Sequence, residues 1–230
     1  MSSYMISAHD VQYTIQAEEG SLIGQRIAAS GQPYEPALLE HIYQSRFTGT
    51  AIDVGACIGN HTLWFALVCK LPVVAFEPID IEELEHNLAL NSGNPAIRDV
   101  RVEPVALGAE AGWARDSGKR VLTAVTTRAE REDATAAEGQ LLVGEGPVTV
   151  ELLDSYDLHD VALIKIDVEG MEPDVLLGGA ETINREQPVI FAEAKDGDAH
   201  RKLEDVLAPW GYEQTARFKR GTPVERWDPK

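Results

Sequence analysis

Short apolar runs that alternate with helical segments constrain the fold of this chain more than any other feature. The runs predict buried β-strands at residues 50–54, 73–76, 100–105, 161–168 and 189–192. Apolar residues spaced three and four apart predict helices at residues 60–69, 80–90, 173–177 and 199–207. Strands that alternate with helices form parallel βαβ units, so we expect an α/β fold with a doubly wound, mostly parallel sheet and helices on both faces.

We expect a single domain over residues 1–230, in which residues 1–47 form a leader or lid element before the alternating strands and helices begin. Within the leader, the pattern predicts a strand at residues 12–16 and a helix at residues 36–43. A final strand is predicted at residues 212–218.

Residues 109–150 interrupt the alternation and are too long for a plain connection in a compact domain. We interpret them as an inserted arm over the edge of the active site, with possible strands at residues 118–127 and 147–151. A mobile loop without function is an equally open interpretation.

The composition of the chain disfavours some classes of binding partner. The net charge of −18 at pH 7 disfavours nucleic acid and anionic membrane surfaces, since an acidic surface repels phosphate groups. The chain has no apolar run long enough to cross a bilayer, and residues 1–10 lack the features of a secretory signal. Two cysteines, Cys57 and Cys69, make no disulfide framework, so we expect a cytoplasmic protein with reduced thiols.

The segment DVGACIGNHT at residues 53–62 lies where a strand turns into a helix. Gly55 lets the chain leave the strand sharply and approach a ligand, and Gly59 allows tight passage into the helix. The free N–H groups at the helix start favour a carboxylate, and they belong to Asn60, His61 and Thr62. Because ligands of open α/β sheets bind at the carboxyl ends of strands, this turn predicts a cofactor site.

Glu77 follows Gly55 by twenty-two residues and ends the second strand, where a carboxylate can accept both ribose hydroxyls of an adenosine cofactor. The dinucleotide fingerprint would require glycines in place of Cys57 and Asn60, which disfavours a nicotinamide oxidoreductase. Asp53 is better suited to a positively charged group, such as the amino-acid end of S-adenosylmethionine.

Lys165, Asp167 and Glu169 are spaced by two, which would place them on one face of the fourth strand. Charges buried in an apolar strand need partners, and a pair of Lys165 with Asp167 or with Glu193 is the structural interpretation. The functional interpretation makes these three residues catalytic: Asp167 orients the acceptor or the cofactor amine, and Glu169 acts as general base. His61 is a second candidate base, and no residue spacing suggests a metal site.

The ordered motifs of the chain resemble those of the FkbM family of S-adenosylmethionine-dependent methyltransferases from about residue 34 to residue 212. The matching pieces are DVGACIGNHT at 53–62, AFEP at 75–78, ALG at 106–108, ELLDSY at 151–156, IKIDVEGMEPDVLLGGAETI at 164–183 and PVIFAE at 188–193. The resemblance implies a class I, Rossmann-like fold and S-adenosylmethionine as cofactor. The cofactor-binding set that it implies is Asp53, Gly55, Ala56, Cys57, Gly59, Asn60, His61, Thr62, Glu77, Pro78, Ala106, Leu107 and Asp167.

The resemblance also implies methyl transfer to a hydroxyl of a small molecule, such as a sugar or a polyketide. Two alternatives stay open: a non-catalytic module that binds S-adenosylmethionine, and methyl transfer to a nitrogen or to a macromolecular acceptor. The acceptor pocket is expected from the leader, the arm and the loop after Glu193, where the motifs give least guidance.

Overall fold

The computed structural model describes residues 1–116, 122–125, 148–219 and 223–230. Its central sheet has seven strands in the order β12-β13-β11-β10-β3-β4-β5. The strands are β3 Thr50–Val54, β4 Val73–Phe76, β5 Val100–Glu103, β10 Val161–Ile166, β11 Val189–Glu193, β12 Tyr212–Phe218 and β13 Val224–Pro229. Only β13 runs antiparallel to its neighbours, so the predicted doubly wound, mostly parallel α/β sheet is confirmed.

Helices cover both faces of this sheet. One face carries α2 Pro36–Ser45, α3 Asn60–Leu63, which continues as a π-helix at Trp64–Val68, and α4 Ile81–Leu90. The other face carries α5 Glu172–Gly178, α6 Ala180–Glu186 and α7 Gly197–Leu207.

Alternate residues of each strand pack into the two hydrophobic layers. On β3, Ala51 lies in the layer under α2, α3 and α4, whereas Ile52 and Val54 lie in the layer under α5, α6 and α7. Because both faces are covered, the strands are apolar along most of their length, which explains the runs that predicted them.

The leader contains more secondary structure than its sequence pattern predicts. It contains an antiparallel hairpin of β1 Ser2–Ala8 and β2 Val11–Ala17, followed by α1 Leu22–Ser30 and α2. The free edge of β2 is bonded to the side chains of two asparagines, Asn87 in α4 and Asn91 at the C-cap of α4. Asn91 exchanges hydrogen bonds with Thr14 N and O, at 2.9 and 2.7 Å, and Asn87 with Gln16 N and O, at 2.7 and 3.0 Å.

The arm begins as a four-stranded sheet in the order β6-β9-β7-β8. Its strands are β6 Ala106–Leu107, β7 Gly112–Asp116, β8 Leu122–Val125 and β9 Val148–Glu151. The strands predicted at residues 118–127 and 147–151 are found in their described parts, residues 122–125 and 148–151, whereas residues 117–121 and 126–147 lie outside the described ones. The strand predicted at residues 100–105 is confirmed as β5, which ends two residues earlier, at Glu103, and β6 is a separate short strand that the pattern did not predict.

The fourth predicted strand is shorter than its pattern indicated. β10 ends at Ile166, and Glu169 has a φ of 56° in the turn that follows. The expectation that Lys165, Asp167 and Glu169 share one strand face was therefore wrong for Glu169, because the chain has already left the sheet. Among the helices of the described residues, none is long and apolar enough to cross a membrane.

Candidate active site

A cavity of about 280 Å³ opens at the carboxyl ends of β3, β4 and β10, where the order of the strands reverses. This is the switch point at which open α/β sheets bind ligands. The predicted site residues that line it are Gly55, Cys57, Glu77, Pro78, Ala106, Leu107, Asp167 and Glu169. The leader closes one side through Ser21, Leu22, Ile23 and Tyr34.

The glycine turn holds two strand ends together. A Cβ on Gly55 would lie 2.0 Å from the carbonyl oxygen of Asp167, and its φ is +79°. Gly59 has a φ of +87° and begins α3 as the N-cap. Gly55 is therefore required by the contact between β3 and the end of β10, a role that differs from the close approach to a ligand predicted from the sequence.

Glu77 is 5% exposed and its carboxylate already accepts three backbone hydrogen bonds. Cys57 N donates to Oε2 at 2.7 Å, and Ile79 N and Asp80 N donate to Oε1 at 2.7 and 2.9 Å. Burial raises the pKa of Glu77, although these three amides act to lower it. A carboxylate has about four acceptor positions, so one remains on Oε2, not the two that two ribose hydroxyls would require.

Asp80 supplies a second carboxylate beside Glu77. It lines the cavity and accepts a hydrogen bond from Cys57 Sγ at 3.3 Å. Asp80 is also the N-cap residue of α4, although its side chain makes no capping hydrogen bond. Its position three residues after Glu77, in the turn between β4 and α4, was the signal that could have indicated a site residue.

Three polar residues of the glycine segment use their side chains for hydrogen bonds within the protein. Asn60 accepts from Tyr34 N at 2.9 Å and donates to Tyr34 O at 3.1 Å, so it fixes the leader. Thr62 Oγ1 donates to Asp53 Oδ2 at 2.6 Å, and both residues are fully buried. Asp53, Ala56, Gly59, Asn60, His61 and Thr62 are not among the residues that line the cavity.

Lys165 forms the pair with Asp167 that the sequence offered as one of two options, at 3.0 Å. Its side chain is 1% exposed. Burial lowers the pKa of Lys165, but the carboxylates of Asp167, Asp53 and Glu35 outweigh it and hold the pKa above its ordinary value. Likewise burial raises the pKa of Asp167, and Lys165 outweighs it in the opposite direction. Lys165 is thus a charged support for Asp167, which reaches the cavity.

Glu169 faces the cavity but is not free. It is paired with Lys195, which also lies 3.5 Å from Glu193. Burial, and then the neighbouring carboxylate of Asp167, raise the pKa of Glu193 to about 7. Lys195 carried no motif and was missed by the sequence analysis. Within the described ranges, no group of three or more His, Cys, Asp or Glu side chains could hold a metal ion.

The profile of the methyltransferase FkbM domain family matches residues 53–213. The chain belongs to this family. The match spans the glycine turn, Glu77, the end of β10 and β11, so the resemblance read from the motifs is confirmed.

Solved structures agree with the family at the level of the fold. An FkbM methyltransferase from Methylobacillus flagellatus KT is similar with a TM-score of 0.55 and 16% identity, over 78% of this chain and 43% of that chain. This chain thus spans less than half the length of that relative. The N-terminally shortened methyltransferase domain of METTL16 has a TM-score of 0.51 and 11% identity, over 94% of this chain and 87% of that chain. No curated protein matches the chain.

Proposed function

We propose that this family member binds S-adenosylmethionine and transfers its methyl group to a hydroxyl of a small molecule. The observation that carries the proposal is the pair of carboxylates, Glu77 and Asp80, which follow β4 and line a cavity that Asp167 also lines. We also propose a cytoplasmic location, which Cys57 and Cys69 support because they form no disulfide with each other.

The lining residues fit the parts of this cofactor. The free acceptor position on Glu77 and the carboxylate of Asp80 suit the two ribose hydroxyls. Apolar side chains suit an adenine ring, and they belong to Phe76, Ile79, Val105, Ala106 and Leu107. Asp167, with its charge held by Lys165, suits the amino-acid end. When bound, the cofactor supplies a methyl group on a sulfonium, which is attacked in line by the acceptor oxygen.

Glu169 is the residue that we assign to the acceptor. A hydroxyl loses its proton as its oxygen attacks, and a carboxylate within hydrogen-bond reach can accept that proton. Lys195 orients the Glu169 carboxylate at the mouth of the cavity. The hydroxyl preference comes from the family resemblance, and the net charge of −18 supports a small molecule over nucleic acid as the acceptor.

Calorimetric titration of S-adenosylhomocysteine tests the cofactor assignment. We expect Asp80→Asn to weaken binding by about tenfold, since one charge-assisted hydrogen bond is lost. The control is Asp205→Asn on the exposed side of α7, which should bind as the wild type does. A folded wild type that does not bind the ligand would overturn the proposal.

Turnover tests the role of Glu169. With hydroxylated acceptors at saturating cofactor, Glu169→Gln should lower kcat by about 10²-fold or more while the affinity for S-adenosylhomocysteine is kept. Full turnover in this variant would contradict the assignment of Glu169 as base.

A further inference from the structure

A cluster of charged side chains lies directly behind the cavity wall, on the sheet face that carries the leader. It consists of Glu35, Asp53, His61, Lys165 and Asp167. Lys165 lies opposite Asp53 in the register of β10 and β3. Glu35 is 5% exposed, Asp53 0% and His61 6%.

Three atoms of the cluster have no hydrogen-bond partner among the described residues: Glu35 Oε2, Asp53 Oδ1 and His61 Nε2. His61 Nε2 lies 3.2 Å from Glu35 Oε2, but without the geometry of a hydrogen bond. Buried polar atoms are nearly always bonded, so three of them in one place indicate a group that binds there.

The charges of the cluster do not balance. Three carboxylates face the single ammonium of Lys165, and His61 can add at most one positive charge. Lys195 also acts on Asp167, but it is shared with Glu169 and Glu193, so acidic side chains outnumber basic ones in this part of the protein. An uncompensated charge in the interior is strongly disfavoured. The group that fits this deficit is a small cation with several N–H donors.

The leader is held in the conformation that brings Glu35 to this place. Glu35 has a φ of 56° although it precedes Pro36, a backbone conformation that is unfavourable for a residue with a Cβ. Its side chain does not cap α2. The Asn60 side chain fixes both backbone groups of Tyr34, which lines the cavity. Strained backbone of this kind is typical of binding sites.

We propose that Glu35, contributed by the leader, binds the primary ammonium group of the cofactor's amino-acid end together with Asp53. This inference rests on the proposed function. Tyr34, Gly55 and Asp167 line the cavity, and Asp167 belongs to the cluster as well. Glu35 and Asp53 both act on the ammonium of Lys165, which is bonded to Asp167 at 3.0 Å. A second ammonium bound beside Asp167 would therefore be attracted by the same two carboxylates. The leader thereby selects ligands that carry an amino group.

The test compares ligands with and without that group. Wild type and Glu35→Gln are titrated with S-adenosylhomocysteine and with its deaminated analogue, in which hydrogen replaces the amino group. Wild type should prefer S-adenosylhomocysteine by about 10- to 100-fold, and Glu35→Gln should lose most of this preference while it binds the analogue as wild type does. The control is Glu40→Gln on the same helix, which should keep the preference.

Each other result overturns the inference in a distinguishable way. Equal losses for both ligands in Glu35→Gln would assign Glu35 to the packing of the leader, and an unchanged preference would exclude it from the site. If Glu35→Gln does not fold, wild type that binds both ligands equally well is sufficient to overturn it. Wild type that binds neither ligand would overturn the proposed function, and this inference with it.

Discussion

Glu193 ends β11 with 2% of its surface exposed, beside the charged groups of Asp167, Glu169, Glu172 and Lys195. Burial is the main cause that raises its pKa from the ordinary 4.5 to about 7. At a pH between these two pKa values, the carboxyl group of Glu193 is protonated in the folded protein and ionised in the unfolded chain. The contribution of Glu193 to the free energy of unfolding therefore falls as the pH rises from about 4.5 to about 7, and stays low above that window.

Glu193→Gln should remove this pH dependence. The difference in the free energy of unfolding, variant minus wild type, should therefore be larger at pH 8 than at pH 5. Urea denaturation at the two pH values measures the difference. Glu77 and Glu172 shift in the same direction but are present in both proteins, so their effects cancel. Glu213→Gln, at an exposed position of β12, is the control. A difference from wild type that is the same at both pH values would contradict the prediction.

Residue roles at the site were only partly predictable. The motifs located Glu77 and Asp167, because strand ends and glycine turns have a recognisable local pattern. The motifs could not show that three backbone N–H groups donate to the Glu77 carboxylate, or that the Asn60 side chain bonds to Tyr34. Both depend on contacts that form only when the turn has folded. Gly55 was expected to make room for a ligand, whereas the Asp167 carbonyl oxygen occupies that side.

At the scale of elements, the leader hairpin is attached to the body by helix side chains. Asn87 accepts from Gln16 N and donates to Gln16 O and Ile58 O, so it joins β2, α4 and the glycine turn. It is 0% exposed.

Asn87→Ala should lower the free energy of unfolding by about 2–4 kcal/mol, because buried backbone groups lose their partners. Glu85→Ala, at an exposed position of the same helix, is the control and should change stability by less than about 0.5 kcal/mol. Chemical denaturation measures both. Equal stability of the two variants would show that the asparagine contacts contribute little.

Element predictions were most accurate where neighbours in sequence decide the structure. The apolar strands and α4 lie where the pattern placed them. β1, α1, α6 and β13 were not predicted. β13 pairs with β11 and β12, and its Trp227 is buried in the hydrophobic layer under α7. Its identity as a strand therefore depends on residues that are distant in sequence.

At the scale of the whole molecule, Arg226 connects the last strand of the sheet to the leader. Its guanidinium donates to Asp228 at 2.8 and 2.7 Å, to His41 Nε2 at 2.8 Å and to Ser45 Oγ at 3.1 Å. It also lies 5.9 Å from the centre of the Phe47 ring. A planar fork with several donors is needed for this set of contacts.

Arg226→Lys should therefore lower the free energy of unfolding by about 1–3 kcal/mol, since an ammonium cannot reach all of these acceptors. Arg201→Lys affects a side chain that is 66% exposed and should be close to neutral. Denaturant titration of both variants measures the two changes in the free energy of unfolding. A neutral Arg226→Lys would show that charge alone, without the fork, is sufficient.

The asparagine contacts of α4 have a further consequence for β2. An unpaired strand edge offers a template on which other chains can add strands. In this protein Asn87 and Asn91 occupy the backbone groups of Gln16 and Thr14 on that edge. The two side-chain amides therefore prevent another chain from pairing with this edge. Replacing both asparagines by alanine should cause slow fibrillar aggregation of the stored protein.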